Sequence, residues 1–241
     1  KQIQNIKKFL INLVSKLNKE IKSNLKKKNL IQIKKDKSIV TNLDLSIENF
    51  IYKEIVDTFK NHNVISEERN FLHKNKNDFT WYIDPVDGTK SMVFGFPTWS
   101  NLIGLFYKDT PIATIANFYE MKKCYIAILD KNYLYENNKL LKIKKYKKNK
   151  KFKKVVINSL HVIKNLKILK KLKKMKYTLK ISGLDAYNYC LFAQEKIDAI
   201  IDFNVKKIDV LPLMRLIENS NGKFCYLRKK KHRLDFILCR E

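Results

Sequence analysis

Glycine and proline are concentrated in one stretch of the chain, residues 81–105. It holds three of the five glycines and two of the four prolines among 241 residues, although glycine makes up about 7% of an average protein. The stretch includes the segment D-P-V-D-G-T, residues 84–89. Pro85 disfavours a helical conformation at Asp84, because the proline ring clashes with the backbone of the preceding residue. We therefore expect a strand that ends at Asp84 and turns at once, so that Asp84 and Asp87 face the same side.

Two neighbouring carboxylates suggest a bound cation. Without one they repel each other, and one of the two takes up a proton. Carboxylate and carbonyl oxygens are the ligands that Mg²⁺ and Mn²⁺ prefer. Gly88 and Thr89 then open a predicted short helix, whose free N–H groups can hold an anion. On these residues alone, a turn capped by an aspartate is an equally good interpretation.

Other acidic residues end or begin predicted elements elsewhere. Glu67 and Glu68 end a predicted strand, and Asp209 lies at the start of a predicted helix. Taken singly, a glutamate pair is typical of a solvated loop and an aspartate at a helix start is typical of an N-cap. Their interpretation as metal ligands depends on the residues occurring together.

The net charge of +28 raises the question of a nucleic-acid partner. Only five of the 51 basic residues are arginine, the side chain that favours bidentate phosphate and guanine contacts. The frequencies of lysine, asparagine and isoleucine are all raised, which is typical of an AT-rich coding sequence. We therefore expect compositional drift and no specific nucleic-acid partner, with lysine runs such as 142–154 forming solvated surface. Binding to a polyanion is the alternative.

Several other classes are disfavoured. No stretch of about 18 uncharged apolar residues predicts a membrane span, and the amino terminus lacks the features of a signal peptide. Four cysteines without C-x-x-C spacing favour a reduced, cytoplasmic protein. Residues 3–25 have the apolar periodicity of an amphipathic helix. We expect that helix to pack on the core, with a membrane-surface helix as the alternative.

The order of predicted elements indicates a layered α+β or α/β sandwich of alternating α-β-α-β-α layers. The first half, 1–140, is antiparallel-rich; the second half, 152–241, alternates strand and helix, and we expect both to form one compact unit. We expect the last strand and the last helix to be abbreviated, since few residues follow Gly222. The predicted helices are 3–25, 39–59, 161–175, 184–196 and 208–221. The predicted strands are 63–68, 78–85, 100–109, 110–119, 122–130, 153–159, 177–182, 197–203 and 222–227.

Four motifs in this order resemble the inositol monophosphatase family of metal-dependent phosphomonoesterases, over nearly the whole chain. D-P-[apolar]-D-G-T is matched by 84–89 and V-T-x-x-D by 40–44. G-E-E is matched in part by 66–68. An acidic residue followed seven positions later by a metal-binding aspartate is matched by Asp202 and Asp209.

The resemblance implies a role for each of these residues. Glu67, Asp84 and the carbonyl of Val86 would hold one Mg²⁺, and Asp84, Asp87 and Asp209 a second. Glu67 and water molecules would coordinate a third ion. Mn²⁺ is an alternative to Mg²⁺. These ions would activate a water and clamp the phosphate oxygens.

Further implied roles concern catalysis and the substrate. Thr89, paired with Asp44, would orient the attacking water, and Glu67 would take part in catalysis. The family also implies a homodimer acting on a small phosphorylated metabolite. The residues expected to contact phosphate or substrate are Gly88, Thr89, Lys90, Asp185 and Asp202.

Local sequence is most similar to the family's histidinol-phosphate phosphatase branch, which serves L-histidine biosynthesis. Residues 87–105 match its basic residue after D-G-T and its P-x-W-x-x-L-I run. Residues 182–202 match its G-G-D-x-Y-x-Y segment, and Lys206 with Asp209 fits its L-K-x-Y-D element. Asp185 or Asp202 would suit the cationic amino alcohol of that substrate; a plain helix-start carboxylate is the alternative for Asp185.

Some positions depart from the family pattern and leave other functions open. Ser66 stands in place of a glycine, Asp202 in place of a glutamate and Ile208 in place of an aromatic residue. Asn221 replaces a turn glycine, which is tolerable because asparagine readily adopts the left-handed conformation. The alternatives are an inositol-1-monophosphatase or related sugar or nucleotide phosphatase, and a catalytically dead, polyanion-binding relative.

Overall fold

A computed structural model describes residues 2–27, 30–33, 39–69, 75, 77–137, 139–143, 153–159, 161, 170, 174 and 177–240. The helices are α1 (Gln2–Leu25), α2 (Asn42–Thr58), α3 (Thr89–Val93), α4 (Ala186–Ala193), α5 (Lys207–Val210) and α6 (Met214–Glu218), with a 3-10 turn at Leu211–Leu213. The first strands are β1 (Ile31–Ile33), β2 (Ile39–Thr41), β3 (Asn63–Ser66), β4 (Phe79–Asp87), β5 (Ser100–Tyr107), β6 (Thr110–Phe118) and β7 (Lys123–Ile128). The later strands are β8 (Lys131–Glu136), β9 (Lys139–Lys142), β10 (Lys153–Ile157), β11 (Tyr177–Ile181), β12 (Ala199–Lys206), β13 (Gly222–Lys229) and β14 (Arg233–Arg240).

Helices α1 and α2 form the outer layer. Most of the predicted apolar stripe of α1 is buried in the core, where Phe9 and Leu25 are partly buried. The members that are at most 2% exposed are Ile6, Leu10, Leu13, Val14, Leu17 and Ile21. A stripe used in this way is not available to a membrane surface, so the membrane-surface alternative for residues 3–25 is wrong. Within the part of the chain that the structure describes, no helix combines the length and apolar character needed to cross a membrane.

The second layer is a seven-stranded sheet in the order β3-β4-β5-β6-β7-β8-β9. Strands β3 and β4 pair in parallel, and every other neighbouring pair is antiparallel. Its central strands are covered on both faces, so apolar side chains continue along them rather than alternating with polar ones. In β5, Ile103 faces the core with α1 and α2, whereas Leu102 faces the opposite core with α4 and α6.

The remaining layers are the helices α4 to α6 and a five-stranded mixed sheet in the order β11-β10-β12-β14-β13. One core lies between the two sheets and includes Phe118, Phe192, Leu213 and Phe236. The architecture is the predicted layered α+β sandwich. Most of the predicted helix 161–175 and most of the segment between the two predicted halves, 141–151, lie outside the described residues.

Several predicted elements differ in the structure. Strand β4 does not stop at Asp84 but continues to Asp87, with its pairing to β5 shifted between these residues. The predicted helix 208–221 is broken into α5, a 3-10 turn and α6, because Pro212 has no N–H to donate. The expectation of an abbreviated last strand is wrong, since β14 has eight residues, whereas no helix follows β14 among the described residues. Strands β1, β2, β8, β9 and β14 were not predicted.

Gly104 allows the turn at 211–213 to lie directly on β5. A Cβ atom at Gly104 would come within 2.5 Å of the Cα of Pro212. Thr114 on the neighbouring strand β6 donates a hydrogen bond from its Oγ1 to the carbonyl of Pro212 at 2.6 Å. These contacts hold α5, and with it Asp209, close to the end of β4.

We expect Gly104→Ala to lower the free energy of unfolding by about 2 kcal/mol, because the added methyl must displace backbone in a packed interior. Urea denaturation measures this change, with Thr110→Ala on the exposed end of β6 as the control. An alanine variant as stable as the wild type would show that β5 and the turn are not in tight contact.

Candidate active site

The turn at residues 84–89 is fixed by buried side-chain amides. Asn101 donates a hydrogen bond from Nδ2 to the carbonyl of Pro85 at 2.6 Å. Asn117 donates to the Oδ1 of Asn101 at 3.0 Å and to the Oδ1 of Asn18 on α1 at 2.9 Å. Both Asn101 and Asn117 are at most 1% exposed, so the backbone between the two aspartates is anchored from the sheet and from α1.

Three acidic side chains from different elements meet beside this turn. Oxygens of Glu67, Asp84 and Asp209 lie within 4.8 Å of one another. Glu67 follows β3, Asp84 is in β4, and Asp209 is in α5. Two of the residues assigned from the sequence to different ions, Glu67 and Asp209, are therefore close together. Asp87 is not in this group of three.

Burial and mutual repulsion disfavour the charged forms of these carboxylates. Burial raises the pKa of Asp84 well above its ordinary value, and the charges of Glu67, Asp87 and Asp209 raise it further. Burial also raises the pKa of Asp209 to about 8, helped by the charge of Glu67 and opposed by the ammonium of Lys206. The cluster therefore holds more negative charge than its protein surroundings stabilise.

The atoms around Asp84 fit a divalent cation. Its Oδ1 is buried and has no hydrogen-bond partner among the described residues, and an orphaned buried oxygen is costly unless something binds it. Three carboxylates with oxygens this close are a hard, all-oxygen donor set, the kind that Mg²⁺ and Mn²⁺ prefer.

Asp87 is hydrogen-bonded to the start of α4 and to β5 and does not belong to the group of three. Its Oδ2 accepts a hydrogen bond from the amide of Ala186 at 3.0 Å and a long one from Ser100 at 3.4 Å. Burial raises its pKa well above the ordinary value, and the charges of Asp185 and Asp209 add to the effect. Asp87 is thus close enough to Asp209 for their charges to interact strongly.

Thr89 and Asp44 are in contact, as the sequence predicted. The Oγ1 of Thr89 lies 3.3 Å from the Oδ1 of Asp44 and 3.0 Å from the carbonyl oxygen of Val86. The other oxygen of Asp44 accepts bonds from the amide and the hydroxyl of Thr41, the N-cap of α2, at 2.8 and 2.5 Å. Burial raises the pKa of Asp44 to about 6, against the effect of the Thr41 bonds.

Gly88 brings the turn against Asp185. Its φ of 77° is in the left-handed region, and an added Cβ would come within 2.8 Å of the Oδ2 of Asp185. Only glycine fits both the conformation and the space. Asp185 also accepts a hydrogen bond from the hydroxyl of Ser91 at 3.2 Å.

A cavity of about 310 Å³ lies between the D-P-V-D-G-T turn and the second sheet. It contains five of the residues assigned from the sequence to metal or substrate: Asp87, Lys90, Asp185, Asp202 and Asp209. Asp209 belongs both to this cavity and to the group with Glu67 and Asp84. The two sets of predicted residues therefore form one continuous site.

Asp202 is anchored by residues that were not assigned from the sequence. Its Oδ2 accepts hydrogen bonds from the hydroxyl of Tyr189 at 2.7 Å and from the Nδ2 of Asn158 at 2.8 Å. Burial raises the pKa of Asp202 to about 6, and these two bonds oppose the rise. In the sequence, the one feature that could have marked Asn158 as a site residue is its position directly after the apolar strand β10.

Ser66 and Asn221 each stand where the family pattern has a glycine, and local contacts or backbone conformation explain both residues. Ser66 donates a short hydrogen bond to Glu48, which is fully buried. Arg69 approaches the other oxygen of Glu48 at 3.3 Å. Serine at this position therefore ties the segment carrying Glu67 to α2. Asn221 has a φ of 56°, the left-handed conformation expected of it.

Comparison with known proteins identifies relatives of this chain. The chain is 27% identical over 203 residues to "Bifunctional phosphatase IMPL2, chloroplastic" of Arabidopsis thaliana, covering 84% of this chain and 58% of that protein. It is 26% identical over 209 residues to "Fructose-1,6-bisphosphatase/inositol-1-monophosphatase" of Aquifex aeolicus, covering 82% and 76%. The chain thus spans less than two thirds of the Arabidopsis protein.

The fold is shared with solved structures. An IMPase/NADP phosphatase complexed with Mg²⁺ and phosphate superposes with a TM-score of 0.84 at 20% identity, over 100% of this chain and 92% of that one. The model of the inositol monophosphatase family matches residues 2–238. This chain therefore belongs to the inositol monophosphatase family.

Proposed function

We propose that this protein is a Mg²⁺-dependent phosphomonoesterase. The observation that carries the proposal is the group of Glu67, Asp84 and Asp209, whose oxygens lie within 4.8 Å of one another around a buried oxygen without a partner. Membership of the family supports the same activity.

Five groups of this chain would hold the ions: the carboxylates of Glu67, Asp84, Asp87 and Asp209, and the carbonyl of Val86. Glu67 and Asp84 join Asp209 in one group, and Asp87 approaches from the adjoining cavity. We infer two or three ions, with Mn²⁺ as an alternative. Bound divalent ions supply charge neutralisation for the phosphate oxygens and the leaving alkoxide, and they lower the pKa of a bound water.

The hydroxyl of Thr89 is arranged to position a water. Its single proton is directed to the carbonyl of Val86 or the carboxylate of Asp44, which leaves the oxygen lone pairs free to accept a hydrogen bond. A water donating to Thr89 would be held beside the turn with its own lone pair free for attack on phosphorus. The amides of Gly88 and Thr89 would receive the phosphate oxygens.

The substrate proposed is histidinol phosphate. The cavity next to the metal ligands is lined by four carboxylates, and Lys90 and His161 are the basic side chains among the described residues that line it. A cavity of this composition favours an ester whose leaving group carries a positive charge, as an amino alcohol does. Asp185 and Asp202 would face that ammonium group, and Lys90 the phosphate.

Inositol 1-phosphate is the second candidate, since the Aquifex relative is described as acting on it and on fructose 1,6-bisphosphate. Hydroxyl groups of a polyol can donate to the same carboxylates. The polyanion-binding alternative rests on the net charge of +28, but the acidic cavity opposes a polyanion at this site. The homodimer and the cytoplasmic location stay predictions.

Asp87→Asn should reduce turnover with Mg²⁺ by at least about 100-fold, because the amide removes one negative charge from the site that holds the phosphoryl group's counter-ions. The fold should survive, since the asparagine oxygen can still accept the bond from Ala186. Phosphate release and circular dichroism measure the two effects, with Asp130→Asn on an exposed turn as the control. Turnover equal to that of the wild type would contradict the assignment.

The choice of substrate is tested by phosphate release from four esters: histidinol phosphate, myo-inositol 1-phosphate, fructose 1,6-bisphosphate and adenosine 3′,5′-bisphosphate. We expect kcat/KM for histidinol phosphate to exceed that for the others by about tenfold or more. Asp185→Asn should lower kcat/KM for histidinol phosphate more than for the inositol ester. An equal loss on all four would show that Asp185 does not recognise the ammonium group.

The burial of Asp202 predicts a pH-dependent stability. Its pKa of 3.8 in the unfolded chain rises to about 6 in the folded one, so the folded state binds the proton more tightly and stability falls as the pH rises between these values. Asp202→Asn removes this loss. Without metal, its free energy of unfolding relative to the wild type should therefore increase with pH, by up to about 3 kcal/mol.

Urea denaturation of the two proteins at about pH 4 and pH 7 measures that difference. Comparing the variant with the wild type at each pH cancels the general repulsion among the many lysines. A difference that stays constant between the two pH values would show that Asp202 ionises normally.

A further inference from the structure

Lys206 reaches into the group of acidic residues from the element that also carries Asp209. It is the last residue of β12 and the N-cap of α5. Its Nζ donates a hydrogen bond to the Oε1 of Glu67 at 2.6 Å. The two side chains are 29% and 16% exposed, so the pair is partly shielded from water and its attraction is stronger than that of a surface ion pair.

The ammonium partly neutralises the cluster. Asp209 lies three positions further along the chain, and the charge of Lys206 works against the rise in the pKa of Asp209. The three residues of the group itself, Glu67, Asp84 and Asp209, are all acidic. A cation delivered by the chain itself therefore occupies one edge of the site proposed for divalent ions.

We propose that Lys206 acts as an internal cation that competes with the divalent metal for Glu67. The inference rests on the proposed metal site. A divalent ion on Glu67 would share that carboxylate with the ammonium on its Oε1, and two cations this close repel each other. The ion must therefore displace Lys206, which weakens its binding. Without an ion, Lys206 limits the repulsion within the cluster.

The side chain of Lys206 can move away while Asp84 is held in place. Lysine has a flexible four-carbon stem and a strongly hydrated head group, and nearly a third of this side chain is exposed. Asp84, by contrast, is in a buried strand whose turn is held by Asn101. Displacement of the ammonium toward solvent thus requires no change in the position of Asp84.

A positioning role for Lys206 predicts the opposite effect on metal binding. If Lys206 served to hold Glu67 in the correct orientation, its removal would loosen a ligand and weaken the binding of the ion. The sign of the change in affinity separates the two roles.

The test compares Lys206→Met with the wild type in binding Mn²⁺ after removal of metal by chelation. Methionine keeps the length and apolar stem of lysine without the charge. Isothermal titration should show Mn²⁺ binding tightened by about tenfold, or about 1.4 kcal/mol. The melting temperature without metal should be lower in the variant, and its rise on adding Mn²⁺ should be larger. The matched control is Lys207→Met, which removes a charge from the adjacent residue.

The outcomes are distinct. Equal or weaker Mn²⁺ binding by a folded Lys206→Met chain overturns the inference while leaving the metal site in place. Tightening of the same size in Lys207→Met would overturn it too, since net charge alone would then account for the effect. If neither the wild type nor Lys206→Met binds Mn²⁺, the metal site and the inference both fail. If Lys206→Met does not fold, Lys206→Gln replaces it in the same titration.

Discussion

The burial of unneutralised carboxylates at the junction of the two sheets is the constraint on which the rest of the site depends. Asp84 is 1% exposed and one of its oxygens has no partner. Burying a charge in this way costs several kcal/mol unless a counter-ion or hydrogen bonds offset the loss of water. The protein places other carboxylates beside it instead of basic residues, with Lys206 as an exception at one edge. This arrangement lowers stability in the metal-free chain and creates a strong preference for a small, highly charged cation.

The fold makes that arrangement possible by holding the backbone rigidly from several directions. Amide side chains fix the turn at 84–89 from β5, β6 and α1. Gly104 lets the turn after α5 approach β5 closely, and this approach brings Asp209 from the second half of the chain to β4 in the first. Repulsion among carboxylates would separate side chains on mobile loops. Here the surrounding packing, with cores on both faces of the seven-stranded sheet, opposes that separation.

The elements that carry the site could be predicted because their signals are local. Pro85 and Gly88 mark the turn by their own backbone restrictions, and the apolar periodicity of α1 marks a helix within a single segment. The contacts of Asn158, Tyr189 and Lys206 depend on the packing of distant strands, so no spacing in the sequence indicates them. The break at Pro212 was a local signal that was overlooked. The continuation of β4 through Pro85 was not predictable, since it requires the irregular pairing that Asn101 supports.

Basic residues are abundant in the chain as a whole but scarce around the proposed site. The 51 lysines and arginines outnumber the 23 acidic residues of the protein, yet the described lining of the cavity has four carboxylates against Lys90 and His161. Lysine is easily accommodated where its head group reaches water, so drift toward lysine can change a surface with little effect on the fold. At the buried cluster a second ammonium would occupy the space and charge that a metal ion requires. Lys206 has a partly exposed side chain. It can therefore neutralise the cluster when no metal ion is bound and withdraw to solvent when one binds.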